Sequence, residues 1–479
     1  MGDEMKAKLK INKDKVIAKV EDAMYSSFVE HMGRAIYTGI YEPGHRTADE
    51  EGFRKDVIDV VKPLALEYVR YPGGNFVSGY NWRDGIGPKK DRPVRLELAW
   101  EAIETNQVGI DEFMSWAAKV GVKPMIAVNL GTGTPKEAAE LLEYLNAPKG
   151  STSLALLREK NGHPEPYGVD LVCLGNEMDG PWQICAKTPT EYARIAHETA
   201  KLLKRIDPNV KLVACGSSNS SMPTFGLWER TVLRECWDYI DYISLHNYYR
   251  DDGDTKSFLS GSQDMDRFIK EVRDIVAEIA SEKGSDKRIG LSFDEWNVWY
   301  HFRKENNFPP KWTCPRAIEE ENYNQADAVL FSGLICSLLN NADCVKISCI
   351  AQLINVLALM ITVPGGGVEL KSIYYPFLHA SSLMRGKLVS CKLDCPTYEC
   401  KARKDASYMD CAVTEKDGKI RILVNNKSDS ESIHLDISGI GGRMERWIEG
   451  KMTALEKKVC KLSDVELTPL SWNIIVISE

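Results

Sequence analysis

No run of roughly eighteen consecutive apolar residues occurs in the 479-residue chain, so no membrane-spanning helix is expected. The opening Met1-Gly2-Asp3-Glu4-Met5-Lys6 is polar and lacks the apolar stretch of a secretory signal. Gly2 is not followed by the Ser or Thr that a myristoylation signal needs. Excess positive charge is missing as well: 61 Lys and Arg stand against 69 Asp and Glu, for a net charge of -8. A phosphate backbone needs a basic face, so nucleic acid is not an expected partner. The 13 cysteines are odd in number and follow no framework spacing. No Cys-x-x-Cys pair or neighbouring histidine completes a metal set around Cys391, Cys395 and Cys400, so no metal is expected. Free thiols without an export signal point to the reducing cytoplasm, where Asn426-Lys427-Ser428 is a glycosylation sequon in form only. Repeats, low-complexity tracts and Pro/Gly-rich linkers are absent too.

What is present is the composition of a globular protein, 43% hydrophobic and 27% charged. The length suits a barrel plus a second domain rather than one ordinary core. From about residue 21 to 384 short apolar runs alternate with amphipathic stretches. Candidate strands end near Phe28, Arg70, Val128, Leu174, Ala214, Leu245, Phe293 and Ile350. Cys173, Cys215, Cys344 and Cys349 fall within such runs and read as small buried hydrophobes. Helical patterns cover Glu51 to Leu64, Gly109 to Val120, Pro135 to Asn146, Thr190 to Arg205, Met265 to Ser281 and Tyr323 to Leu339. Eight strand–helix units with near-continuous apolar strands predict a closed (β/α)8 TIM barrel. An open doubly wound sheet would need a Gly-rich phosphate turn after its first strand, and none is there. Gly131-Thr132-Gly133-Thr134-Pro135 lacks the Gly-Lys-Ser/Thr ending of a phosphate loop and reads as a turn with Thr134 as helix cap.

After about residue 385 helical periodicity stops. Ile420 to Val424, Ile433 to Ile437 and Trp472 to Ile477 alternate as strands, and Asp417-Gly418 is a hairpin signal. Residues 385–479 are therefore expected to form an antiparallel, jelly-roll-like β-sandwich packed firmly on the barrel of residues 21–384. The alternating residues 1–20 are expected to lend it one or two strands.

Two segments carry the chemistry. Leu174-Gly175-Asn176-Glu177 and Phe293-Asp294-Glu295-Trp296-Asn297 each place a glutamate just past an apolar strand, on the rim where barrels keep their active sites. Glu177 follows the fourth strand and Glu295 the seventh, so the two face each other across the mouth. A separation near 5 Å, read as an order of magnitude, lets one carboxyl attack an anomeric carbon while the other protonates the leaving oxygen. Which does which is left open by the residues themselves. The other strand ends add a polar ring: Glu30 and His31, Tyr71 through Asn75, Asn129, Asn176, Gly216 and Ser217, His246 and Tyr248, and Gln352. Asn176 can bind a sugar 2-hydroxyl, and His246 and Tyr248 can orient Glu295. Eleven tryptophans and nineteen tyrosines suit a sugar cleft, although most must serve ordinary packing.

At these residues the chain resembles glycoside hydrolase family 51, the α-L-arabinofuranosidases, along nearly its whole length. The matching strings are Phe28 to Tyr37, Gly39 to Gly44, Arg70 to Phe76, Trp82 to Pro88, Leu174 to Gln183, Asp294 to Trp299, Ala351 to Val356 and Pro364 to Gly367. The resemblance implies Glu177 as acid/base and Glu295 as nucleophile of a retaining, exo-acting enzyme on terminal L-arabinofuranosyl groups of arabinoxylan or arabinan oligosaccharides. It further implies that Glu30, Asn75, Asn176, Tyr248 and Gln352 bind ring hydroxyls, that Trp100 and Trp299 line the entrance, that no cofactor is needed, and that the chain assembles as a homo-oligomer, often a hexamer. Departures occur at Ile184-Cys185-Ala186, at Val368-Glu369-Leu370-Lys371 and in the Phe302 to Ala317 loop, with His301 beside it as another cleft candidate. Rival readings are β-xylosidase or endo-glucanase activity, a sugar-binding protein without catalysis, and a scaffold role for the sandwich.

Overall fold

The structure, a computed structural model, describes residues 5–300 and 307–478. Its first building block is a set of parallel strands: β1 (Ser26–Phe28), β2 (Tyr68–Tyr71), β3 (Lys123–Ala127), β4 (Leu171–Leu174), β5 (Lys211–Ala214), β6 (Tyr242–Tyr249), β7 (Gly290–Val298) and β8 (Val345–Ile350). They pair in sequence order, and β8 pairs with β1 to close the barrel. Residues pointing into the lumen, among them Met125, Ala127, Leu171, Cys173, Val213, Ile347 and Cys349, form one compact apolar layer. The alternate residues Ile126, Val172, Leu212 and Ile243 face outward and join the larger core beneath the helices. Burial on both sides is why these strands lack a polar alternation.

The helices follow the sequence reading closely where caps are strong. Pro135–Asn146 begins at Thr134, whose side chain accepts from the Glu137 N–H while Glu137 reaches back to the Thr134 N–H. The first helix is shorter than the expected Glu51 to Leu64. It runs over Lys55–Val61 because Gly52 adopts a positive φ in the preceding turn, and Lys62–Leu64, which contains Pro63, winds as a 3-10 turn. Helices Ser153–Lys160, Leu227–Cys236 and Tyr374–Leu383 were not anticipated. Leu227–Cys236 starts from Gly226 rather than a Ser, Thr, Asp or Asn, so it carries no conventional start signal. Among the described residues no helix is long and apolar enough to cross a membrane.

The C-terminal strands form a nine-stranded sheet around a second core that includes Leu9, Ile11, Val413, Ile422, Val424, Leu435 and Ile475. Met5–Val20 lies inside this sheet, antiparallel to Gly386–Asp394 and parallel to Ile433–Ser438. Asp417 and Gly418 both take positive φ, as a two-residue hairpin turn requires. Helix Gln325–Asn340, apolar on every face, is packed between barrel and sheet. The sequon asparagine, Asn426, is fully buried and its amide donates to three backbone carbonyls, so it is closed to glycosylation in the fold.

The tightest backbone approach in the sheet is Gly450 against Trp472, where an added Cβ would stand 1.7 Å from the indole Cε2. Gly450→Ala is expected to lower unfolding free energy by about 1–3 kcal/mol, measured by urea denaturation; an unchanged midpoint would contradict the packing described.

Candidate active site

The carboxyl ends of the strands converge on a cavity of about 600 Å³. Two backbone devices aim the glutamates into it. After β4, Gly175 at φ 91° and Glu177 at φ 43° turn the chain sharply, and the Glu177 side chain lines the cavity. A left-handed conformation at a non-glycine residue is costly and is found where function holds it. In β7 a register shift falls between Ser292 and Glu295 against β6, and beyond it Glu295 pairs with His246 and Asn297 with Tyr248. The bulge re-aims the strand just where two acids follow one another. β6 and β7 therefore run further than the sequence suggested: His246, Tyr248 and Glu295 lie within strands rather than just past them.

Oxygen atoms of Glu177 and Glu295 lie within 4.8 Å of each other, with a ring nitrogen of His246 inside the same limit. Glu295 Oε1 accepts from Arg70 Nη1 at 2.6 Å, and Oε2 accepts from the Tyr248 hydroxyl at 2.9 Å. Arg70 Nη2 donates to Asn176 Oδ1 at 2.6 Å. Glu177 Oε1 is 2.9 Å from His246 Nδ1, and Glu177 Oε2 accepts from Trp182 Nε1 at 2.7 Å. The other imidazole nitrogen, Nε2, stands 3.0 Å from Asp294 Oδ1. Across the cavity Gln352 Nε2 donates to Glu30 Oε2, while Glu30 Oε1 accepts from the Phe76 N–H and from Trp100 Nε1.

The electrostatics follow from burial. Desolvation raises the Glu177 carboxyl above its ordinary range, and the charge of Glu295 adds to this, while hydrogen bonds from His246 and Trp182 oppose it. Burial alone lowers the His246 imidazole, but the Glu295 charge and the hydrogen bonds to Asp294 and Glu177 outweigh it and push it up to about 10. Burial raises Glu30 to about 7. Glu177, His246 and Glu295 form a group dense enough for a cation, yet Arg70 already donates to Glu295 and both His246 nitrogens already face carboxylates, at 2.9 and 3.0 Å. The donor set fits proton transfer.

Glu30, Asn75, Trp100, Glu177, Tyr248, Glu295, Trp299 and Gln352 line this cavity, as the sequence suggested. His246, expected among the substrate-binding residues, instead lies behind the glutamates, with both ring nitrogens engaged. The Asn176 amide bridges Arg70 and Asn75. His31 pairs with Glu104 and the Tyr71 hydroxyl, and Asn129 ties down the turn at Gly131 to Gly133, so these three ring members belong to the wall and not to the cavity. Val368–Leu370 pairs with Met360–Thr362 in a small hairpin, Trp312 binds the backbone of Glu101, and His301 lies outside the described residues. Sequence reasoning missed Arg70, Asp294, Trp182 and the Ser218 to Ser221 loop. An arginine closing an apolar strand and paired acids after Phe293 were the available signals for the first two.

Comparison with known proteins agrees with this geometry. Residues 60–269 match the family model of the alpha-L-arabinofuranosidase 1 domain, and residues 294–457 that of the alpha-L-arabinofuranosidase C-terminal domain. The intracellular exo-α-(1→5)-L-arabinofuranosidase 1 of Bacillus subtilis is 44% identical over 98% of both chains. A family 51 α-L-arabinofuranosidase from Bifidobacterium longum has a solved structure that superposes with a TM-score of 0.93, at 36% identity and 99% coverage of both chains. The chain belongs to glycoside hydrolase family 51. It is an arabinofuranosidase-type glycoside hydrolase built as a TIM barrel with a C-terminal sandwich. An exo-α-(1→6)-L-arabinofuranosidase of Bifidobacterium longum is 45% identical over 89% of this chain and 84% of its own, so identity does not separate the two linkages.

Trp182→Phe removes one of two N–H groups that hold the Glu177 carboxylate. The Glu177 titration, read as the carboxyl infrared band missing from Glu177→Gln, is expected to move to higher pH; an unmoved band would show that the indole does not hold this oxygen.

Proposed function

We propose that Glu295 is the nucleophile and Glu177 the acid/base of a retaining, exo-acting α-L-arabinofuranosidase that releases terminal non-reducing L-arabinofuranosyl groups from short oligosaccharides. The single observation that carries this reading is the approach of the two carboxyl groups to within 4.8 Å, the spacing of a double displacement and too close for an intervening water. Glu295 attacks the anomeric carbon while Glu177 gives its proton to the departing oxygen, leaving the sugar esterified to Glu295. Water then attacks the same carbon, giving its proton to Glu177 while the bond to Glu295 breaks and its carboxylate leaves, and the configuration is restored.

The electrostatics fit the two duties of Glu177. Its proton is held by burial and by the negative charge of Glu295. Esterification removes that charge, so Glu177 becomes more acidic as it turns from acid into base. Tyr248 and Arg70 hold Glu295 in line, and the Glu30–Gln352 pair, Asn75 and Trp100 present hydrogen-bonding groups to the ring hydroxyls. None of these steps calls for a cofactor.

The likeness to the intracellular exo-α-(1→5)-L-arabinofuranosidase 1 of Bacillus subtilis supports α-(1→5)-linked arabino-oligosaccharides as substrate and a cytoplasmic site of action. Residues 21–384 serve as the catalytic unit and the C-terminal sheet as its support. A homo-oligomer, a hexamer by family resemblance, completes the reading; light scattering on the purified chain tests it.

Glu295→Ala is expected to reduce turnover of every substrate by about 1,000-fold or more. Glu177→Gln is expected to cost as much on an arabinobiose but little in the first step on a nitrophenyl arabinofuranoside, whose leaving group needs no proton. Equal first-step losses on both substrates, or faster wild-type turnover of a β-D-xyloside than of the α-L-arabinofuranoside, would contradict the reading.

A further inference from the structure

Outside the hydrolytic cavity, the C-terminal sheet holds two thiols that the chemistry above does not use. Strand Gly386–Asp394 runs antiparallel to strand Cys411–Lys416, with Lys387 opposite Glu415 and Leu388 opposite Thr414. The paired positions stop there, but the same register carried onward sets Cys391 directly across from Cys411. The side chains agree: the two Sγ atoms are 3.9 Å apart. Cross-strand Cβ atoms stand about 4.5–5.5 Å apart, and a disulfide holds its Cβ atoms at about 3.5–4.5 Å, so a small side-chain rotation and strand adjustment close the bond.

Access and reactivity divide between the two. Both thiols line a cavity of about 470 Å³ between the sheet and the helices Gly261–Glu282 and Gln325–Asn340. Cys391 is partly exposed there, and Cys411 is buried behind it. A hydrogen bond between them holds the Cys391 thiol below the usual thiol range and Cys411 above it. The neighbouring thiols are occupied elsewhere: Cys336 contacts the Leu423 carbonyl and Cys395 the Ser407 hydroxyl.

We propose that Cys391 and Cys411 form a thiol–disulfide exchange site, which low-molecular-weight disulfides such as oxidised glutathione convert into a cross-strand disulfide. The Cys391 thiolate attacks one sulfur of the reagent and breaks its S–S bond; the first reagent thiol leaves with the proton that Cys391 gave up. Cys411 then loses its proton and attacks the Cys391 sulfur of the mixed disulfide, and the second reagent thiol leaves with that proton. Two protein thiols are oxidised to one disulfide and one reagent disulfide is reduced to two thiols. The new bond clamps the two strands three residues beyond the last paired position of their ladder.

The test uses the whole reduced protein, incubated with oxidised glutathione, quenched with N-ethylmaleimide and digested with trypsin. Cleavage after Lys387, Lys392, Lys404 and Lys416 yields peptides 388–392 and 405–416, each with a single cysteine. The expected product is these two peptides joined and lighter by two hydrogens, separated again by dithiothreitol. Cys411→Ser is expected to stop the reaction with glutathione held on Cys391, and Cys391→Ser to leave Cys411 unmodified. The exposed Cys460 reports that the reagent is active. Cys460 fully modified with no joined peptide, or Cys391 in the wild-type chain resting as a mixed disulfide, overturns the proposal.

Discussion

Two like charges held about 4–5 Å apart repel by roughly 4 kcal/mol even in a medium of intermediate dielectric. Glu177 and Glu295 are kept at that distance in a buried site, and Asp294 lies just below them. The structure resolves the conflict with Arg70, which donates to Glu295, and with His246, which stands between Glu177 and Asp294. With Glu177 protonated, two carboxylates face two cations and the cluster is neutral. Ionising Glu177 adds one unbalanced negative charge, which together with burial raises its carboxyl above the ordinary range. Taking out either cation would leave a buried carboxylate uncompensated, a strongly destabilising change.

Everything around the cluster serves to bring those five side chains together. The closed barrel sets β4 and β7 on opposite walls. The turn at Gly175 and the bulge in β7 then set the aim of each acid. Helix Gln325–Asn340, apolar all round, seats the barrel on the C-terminal sheet and fixes the wall from which β8 carries Gln352 to the mouth. Tyr248 packs edge-on against Trp299, so the same ring that donates to Glu295 also shapes the entrance.

Much of this was legible in the residues. The barrel strands show through the apolar residues that burial on both faces demands, clearest in Lys123–Ala127, Leu171–Leu174 and Lys211–Ala214, and the two glutamates stand out because each follows such residues at the rim. The hairpin at Asp417-Gly418 and the cap at Thr134 were readable because their chemistry is local. Less local features were hidden. Leu227–Cys236 was missed because Gly226 replaces a capping side chain. His246 looked like a sugar ligand until both its nitrogens proved to be taken. The full extent of β6 and β7 was invisible because their ends are polar and a bulge breaks the alternation. Arg70 was overlooked because its partners lie more than one hundred positions away in the chain, and only the closed barrel brings them to it.

The spacing of the two carboxyl groups fixes the stereochemistry of the product, and that can be watched directly. Proton NMR of an α-L-arabinofuranoside during the first minutes of hydrolysis, before mutarotation, reports the anomer released. Arabinofuranose appearing first in the α configuration is the result that carboxyls with oxygens within 4.8 Å of each other require. The β anomer appearing first would mean that water attacks in one step, and would contradict the assignment of Glu295 as the group that bonds to the sugar.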